Sequence, residues 1–496
     1  MNRQITKLAI VALVLLSALV VATTYWQTWA VAGLAGRQDN AIQRVAQFTV
    51  RRGLIYTADG KLLAARRAKK ANGQTYYFRR YPAGDLAAQL VGYSTQSRSR
   101  AGLERSMNDY LTASNSHLNT VLRRTLDRLK GATITGNNLV LTIRSDAQRA
   151  ALTALDKNCG AAVAIEPSTG RVLVMASSPS YDPNLVEGHF GAIARRAQGF
   201  NCSPPAPLVN RATDGLYTPG STFKVITAAA ALDTGTFKPD STFDDPGYCI
   251  EYGKKVSNFA DQSGPEVFGH VDFVTALEHS INAVFCEIGK KLGPLTVLEY
   301  ARRFGFYSDP PLETPSNERA PSGLYDHGRL FLPHDPNQVD PGRLAFGQER
   351  MQVTPIQMAM VAAGIANGGV LMRPYVVEKV VAPGLRGSTI SRTHPHELSR
   401  AVSPETAAQL TQMMQLVVES GTGTAAQISG VSVAGKTGTA ETGASGVNTT
   451  SFIAFAPAEA PKVAVAVILE NQHGVGGRTA APIAKTIMEA LLRKGT

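Results

Sequence analysis

The stretch "YTPGSTFKVITAAAALDTG", residues 217–235, sets a Pro-Gly turn ahead of an alanine-rich apolar run of helical character, and Lys224 stands inside that run. Ser221 lies one turn earlier on the same helical face. Taken by itself, the lysine reads as a side chain whose methylenes lie along apolar surface while its ammonium reaches water. The sharper reading makes Ser221 a nucleophile and Lys224 the base that takes its proton. The rest of the chain has to decide between them.

Two further short patterns follow in order. "HSINAVFCEIG" (279–289) contains Ser280-Ile281-Asn282, and "VAGKTGTAETG" (433–443) contains Lys436-Thr437-Gly438-Thr439. S-x-x-K and K-[ST]-G each occur once in the chain, whereas S-x-N occurs twice. The other copy, Ser106-Met107-Asn108, precedes the S-x-x-K and reads as a polar helix face. Each triplet alone is cheap. The ordered set is not, with Ser280 lying 59 residues after Ser221 and Lys436 lying 156 after Ser280. Lys436 follows a short apolar, strand-like run, so it is expected to project from an edge strand into a cleft, with Gly438 letting a ligand approach the backbone closely.

Composition bounds the setting. The 496 residues, 44% hydrophobic and 18% charged, suffice for two or three domains. The formal net charge of +12 is uneven: residues 1–150 hold 22 Lys/Arg against 7 Asp/Glu, and the remainder holds 28 against 31. A basic N-terminal part suits nucleic acid or an anionic membrane face or polymer. No nucleic-acid fold signature accompanies it, so no nucleic-acid partner is expected.

Residues 8–29 are uncharged, and from Leu8 to Ala22 only Ser17 interrupts the apolar run. That length spans a bilayer, with Tyr25, Trp26 and Trp29 as an interfacial belt. Ala30-Val31-Ala32 resembles a signal-peptidase site, but the apolar region is too long for a cleaved signal, so an uncleaved anchor is expected. Arg3 and Lys7 on one side balance Arg37 and Arg44 on the other, leaving orientation to the chemistry. Cys159, Cys202, Cys249 and Cys286 show no metal-ligand spacing, and there is no H-E-x-x-H, so no metal is expected. Buried thiols and two disulfides in any of three connectivities both stay open, with Cys249–Cys286, flanking the approach to Ser280, the first expectation.

Residues 30–146 read as a modest mixed domain, with an Asp59-Gly60 hairpin turn, an amphipathic helix over 102–111 and a strand, an Asp146 cap and a helix over 136–156. "GAAVAIEPSTGRVLVMASS" (160–178) reads as two strands joined at Pro167-Ser168-Thr169-Gly170. From there to Ser280 the pattern predicts helix and loop. A buried small-residue helix follows at 353–369, strands at 451–458 and 462–471, and a last helix from about Ala481 to Lys494. The sum is an α+β fold: an antiparallel sheet sandwiched by helices over 147–496, in which the early strands pair with the late ones.

The three motifs in this order resemble the penicillin-binding proteins and serine β-lactamases. "VLVMASSPSYDPN", "LAFGQERMQVTPIQMAMVAAGIANGG" and "KTGTAE" are similar to the transpeptidase domain of class B penicillin-binding proteins, and "RRGLIYTADGKLLA" and "AGLERSMNDYL" to that class's pedestal, or dimerisation, domain. Size and flanks look most like its short actinobacterial PbpA-type members. The resemblance implies a penicillin-sensitive D,D-transpeptidase without a cofactor, cross-linking peptidoglycan stem peptides through a Ser221 acyl-enzyme. Lys224 would be the base, Ser280 the proton relay assisted by Lys436, and Asn282 a hydrogen-bond partner of the substrate amide. Thr437 and Thr439, beside Gly438, would hold the terminal carboxylate, and the N–H groups of Ser221 and Thr439 would form the oxyanion hole. Ile281, where many β-lactamases carry Asp, is expected only to pack.

Competing functions are a D,D-carboxypeptidase or β-lactamase and a non-catalytic β-lactam-binding scaffold. No E-x-x-L-N segment supplies a deacylating glutamate, which favours a slowly hydrolysed acyl-enzyme. The few residues before Leu8 leave no room for a sensor's output domain. The residues before Asp146 are too few for a glycosyltransferase domain, so a SEDS-type glycosyltransferase within the division or elongation machinery is the implied partner. Cross-linking outside the membrane would put residues 1–7 in the cytoplasm, 8–29 across the cell membrane as a single pass and the catalytic domain outside.

Overall fold

The computed structural model describes residues 2–25, 48–114, 120–121, 125–126, 129, 132–202, 204–261, 264–384, 387–442 and 446–493. Trp26, Trp29, Ala30-Val31-Ala32, Arg37 and Arg44 lie outside them.

The N-terminal helix Asn2–Tyr25 is exposed along its length, and its segment Arg3–Tyr25 is long and apolar enough to cross a membrane. The part from residue 147 onward is built on a five-stranded antiparallel sheet in the order Ala434–Glu441, Asn448–Ala456, Val463–Gln472, Gly160–Ile165 and Val172–Ser178. The early hairpin does pair with the late strands, and the strand carrying Lys436 is an edge. Alternation along each strand feeds two cores. Ala162, Ala164, Val465 and Val467 face Ala151, Leu155, Ile483 and Ile487 of the helices Ser145–Leu155 and Gly476–Leu492. Ala161, Val163, Ala466 and Ile468 face the other way, with helices Lys224–Asp233, Pro355–Ala366 and Pro404–Glu419 in that larger core. The second helix is capped by Thr354 and stops at Asn367-Gly368-Gly369, where both glycines take positive φ.

Four details differ from the sequence reading. Helix 102–111 breaks at Met107 into Gly102–Ser106 and Asn108–Leu111. Asp146 lies inside the helix Ser145–Leu155; Ser145 N instead donates to Asp59 of the Asp59-Gly60 turn at 3.0 Å, so the helix start is satisfied from the basic domain. Short strands Thr242–Asp245, Tyr248–Glu251, Lys254–Ser257 and Gly269–Asp272 interrupt the region read as helix and loop. They are four residues each and rich in polar side chains, so hydrophobic alternation does not mark them. The last helix begins at Gly476, five residues early, because Gly476 and Gly477 pack against the backbones of Gly438 and Thr422 where no side chain fits.

A second, six-stranded sheet runs in the order Thr389–Arg392, Val377–Val381, Asn138–Leu141, Ile55–Tyr56, Leu62–Ala71 and Gln74–Arg80. Two of its strands come from far down the chain, which ties the basic N-terminal part to the part from residue 147 onward. Behind it Glu104, fully buried, takes Arg52 Nε and Arg79 Nε at 2.6 Å each. Against the upward push of burial, the two guanidinium groups hold its carboxyl below the usual range.

Candidate active site

Pro219-Gly220 delivers Ser221 into a tight 3₁₀ turn, Gly220–Phe223, that runs directly into the helix Lys224–Asp233. Gly220 takes φ +54°, and its N–H donates to Gly347 O at 3.2 Å. Thr222 Oγ1 and Ser451 Oγ both donate to Pro219 O, at 2.9 and 3.1 Å, fastening this turn to the sheet. Ser221 is partly exposed, and among the described residues its hydroxyl has no hydrogen-bond partner. It is left free to face a substrate.

Lys224 does not snorkel; it is fully buried. Its Nζ donates to Ser280 O at 2.6 Å and to Asn282 Oδ1 at 2.7 Å, with Ser280 Oγ at 3.2 Å and the Phe285 ring centroid at 5.2 Å. Burial first, and then the charge of Lys436, hold Lys224 well below the usual lysine range. A neutral amine has two N–H donors and a lone pair. The two short contacts use the donors, which leaves the lone pair for a hydroxyl proton.

Ser280 reaches Lys224 because helix Phe273–Glu278 ends in a left-handed residue: Ser280 has φ +61°, and Ile281 N returns to Ala276 O at 2.9 Å. Such a conformation costs a non-glycine residue about 1–2 kcal/mol. Ile281 is buried, as its packing role requires, and Asn282 opens the helix Asn282–Leu292. Asn282 Nδ2 donates to Ser257 O at 3.0 Å, so both ends of its amide are engaged.

Lys436 is also fully buried, bonded through Nζ to Thr437 O at 3.1 Å, and burial lowers its pKa to about 7. Thr437 Oγ1 lies 2.6 Å from Thr422 Oγ1, and Thr439 Oγ1 accepts from Gly476 N at 3.2 Å. The space expected to admit a ligand beside Gly438 is filled by the protein: a Cβ there would meet Pro219 O at 2.7 Å and the Thr222 methyl at 3.0 Å. The glycine thus serves the close packing of the edge strand on the Ser221 turn.

Several supporting groups escaped sequence reading. Asn258 Oδ1 accepts from Ala283 N at 3.0 Å, at the start of the Asn282 helix, while its Nδ2 donates to Asp245. Thr422 lies in a loop notable only for its Gly, Ser and Thr content. A polar loop residue carries no periodic signal. Both disulfides are present: Cys249–Cys286, as first expected, and Cys159–Cys202.

Residues 160–489 match the family model for the penicillin binding protein transpeptidase domain, and 52–139 match the penicillin binding protein A dimerisation domain. Peptidoglycan D,D-transpeptidase PbpA of Mycolicibacterium smegmatis is 37% identical, with 100% of both chains covered. The PbpA of Mycobacterium tuberculosis H37Rv is 36% identical, with 99% of each covered. A solved structure of penicillin-binding protein A from M. tuberculosis, as its penicillin G acyl-enzyme complex, superposes with a TM-score of 0.77 at 35% identity, covering 90% of this chain and all of that one. From Ser221 to Lys436, the three motifs thus stand in the transpeptidase domain of a chain that belongs to the class B penicillin-binding proteins.

Proposed function

We propose that the protein is a membrane-anchored peptidoglycan D,D-transpeptidase. The observation that carries this reading is the buried Lys224 amine, held against Ser280 and Asn282 one helical turn from the partly exposed Ser221. Neutral Lys224 takes the Ser221 proton as Oγ attacks the carbonyl of the penultimate D-alanine. The oxyanion is met by the N–H groups of Ser221 and Thr439, where one donor is worth about 3–4 kcal/mol of barrier. Collapse of the tetrahedral adduct expels D-alanine, which takes its proton through Ser280. An amine of a second stem peptide then attacks the acyl-enzyme, and the same groups return Ser221 to its hydroxyl form. Lys436 assists the Ser280 relay, Thr437 and Thr439 hold the substrate carboxylate, and Asn282 both orients Lys224 and meets the substrate amide.

The test is to react the protein with a fluorescent penicillin and map the adduct by mass spectrometry. A stable adduct on Ser221, absent from Ser221→Ala, is expected. Label on another residue would overturn the assignment, and rapid loss of label would make the protein a hydrolase.

The domain limits follow the same reading: an anchor at 8–29, a pedestal at 30–146 and the transpeptidase domain at 147–496. Residues from about 30 onward face outward, so protease added to spheroplasts digests them; protection would overturn this topology. Glycan polymerisation falls to a SEDS-type partner, and polymerisation of lipid-linked disaccharide by the purified protein alone would refute that division of labour.

A further inference from the structure

The basic excess of the N-terminal part has no role in transpeptidation. It is concentrated on the hairpin Leu62–Ala71/Gln74–Arg80, which turns at Asn72-Gly73, both residues left-handed as a tight hairpin requires. From Arg67 to Gln74 every residue is exposed, so this end of the ribbon projects beyond the sheet. Direct cross-strand partners share a face, and here the pairs are Ala65 with Arg80, Arg67 with Phe78 and Lys69 with Tyr76. One face therefore presents Arg67, Lys69 and Arg80 interleaved with Tyr76 and Phe78. Among the described residues no carboxylate forms an ion pair with these three cations, in contrast to buried Arg52 and Arg79, which share Glu104. A face of uncompensated cations beside one amphipathic and one apolar aromatic matches the headgroup region of a bilayer. The chain also arrives here from the anchor: Phe48, 23 residues beyond the end of the helix at Tyr25, accepts from Tyr77 N at 2.7 Å and packs its ring on Phe78 at 5.3 Å between centroids.

We propose that this hairpin face docks on anionic phospholipid headgroups of the membrane that the N-terminal helix crosses, giving the pedestal a second attachment that fixes its tilt. The inference rests on that helix being the anchor. Each cation near an anionic surface shifts the docked-to-free ratio about fivefold, and tethering by the anchor makes the contact intramolecular, so a few charges suffice.

The test uses the full chain in nanodiscs of phosphatidylcholine, alone or doped with phosphatidylglycerol. The acetylation rate of Lys69, on the docking face, is read by mass spectrometry against Lys70 on the opposite face and exposed Lys238 on the catalytic half. In the anionic discs at low salt, Lys69 is expected to react about fivefold more slowly than in neutral discs, and more slowly relative to Lys70. High salt, or Arg67→Gln/Arg80→Gln, restores the neutral-disc rate, while penicillin labelling of Ser221 stays unchanged. Equal rates in the two lipids, or equal slowing in both, would overturn the inference and leave the anchor standing. Slowing by soluble poly(glycerol phosphate) but not by phosphatidylglycerol would replace the lipid by a polymer. Elution of the chain apart from the discs would overturn anchor and inference together.

Discussion

The Lys224 Nζ lies 2.7 Å from Asn282 Oδ1, joining two side chains 58 residues apart in sequence beneath the partly exposed Ser221. Asn282 is a neutral acceptor here, so it adds no charge to oppose the lowering of the Lys224 pKa by burial and Lys436. Asn282→Asp would place a carboxylate against the amine and raise the Lys224 pKa. Since only the neutral amine can take the Ser221 proton, the acidic limb of the penicillin acylation rate should move to higher pH in this variant. Asn282→Ala should lose about 100-fold in acylation rate without that displacement. A profile for Asn282→Asp that coincides with the wild-type limb would remove Lys224 from the role of base.

Lys436 makes burial visible in stability. Its pKa falls from 10.5 to about 7 in the folded protein, so between those limits the unfolded chain binds the extra proton. Stability therefore rises with pH across this window, at about 1.4 kcal/mol per unit at most, and levels off below pH 7. Lys436→Met should abolish acylation support yet melt higher than wild type at neutral pH, with the gap widening as pH falls from 10 towards 7. A melting difference that does not change with pH would mean that Lys436 stays charged in the fold.

Much of this site was legible because reactive residues must be close in sequence when they share a turn. Ser221 and Lys224 need one helical turn, Ser280 and Asn282 need one helix start, and Lys436, Thr437 and Thr439 need one edge strand. The pairing of the early strands with the late ones was legible too, because these strands are long and buried on both faces. Three things were not. Asn258, Ser257 and Thr422 act through single hydrogen bonds from polar loops. The strands Val377–Val381 and Thr389–Arg392 join the N-terminal sheet by a pairing more than 230 residues long, beyond any local pattern. The apolar pattern of the last helix starts only at about Ala481, yet the close approach of Gly476 and Gly477 to the backbones of Gly438 and Thr422 places both glycines inside it.

The buried Glu104 balances two arginines, and Glu104→Gln removes that balance without changing volume. Two guanidinium groups would then remain buried around a neutral amide, which typically costs about 3–5 kcal/mol. The pedestal should unfold at lower temperature in this variant, seen as a new early transition in calorimetry. Penicillin acylation below that transition should be unaffected, because no group of the triad touches the Ser221 site. A single transition at the wild-type temperature would show that the ion triad adds no net stability.

Gly438→Ala puts a methyl group where Pro219 O and the Thr222 methyl already lie. The Ser451 hydroxyl, the nearest group, can rotate away, but Pro219 O at 2.7 Å is main chain, so the edge strand and the Ser221 turn must separate. The expected result is an acylation rate about 100-fold lower, the order of loss that a misplacement of about 1 Å produces, with a melting temperature lowered by a few degrees. Rates within twofold of wild type would show that the turn and the strand move independently.

The two disulfides close similar loops, with sequence separations of 37 for Cys249–Cys286 and 43 for Cys159–Cys202, so removing either should cost a similar 2–4 kcal/mol, roughly, in chain entropy. Their positions differ in consequence. Cys286 lies on the helix that Asn282 opens, and Cys249 lies on the strand paired with Lys254–Ser257, whose last residue accepts from Asn282 Nδ2. Asn258, the next residue, bonds the start of the same helix. That bridge therefore holds the hairpin and the Asn282 helix in register beneath Lys224, whereas Cys159–Cys202 joins the start of strand Gly160–Ile165 to a loop. Cys249→Ser/Cys286→Ser should slow penicillin acylation about tenfold at a temperature where the fold is intact, as a positioning loss rather than a lost group. Cys159→Ser/Cys202→Ser, equally destabilised, should acylate at the wild-type rate. Equal rates in the two variants would show that the first bridge acts on stability alone.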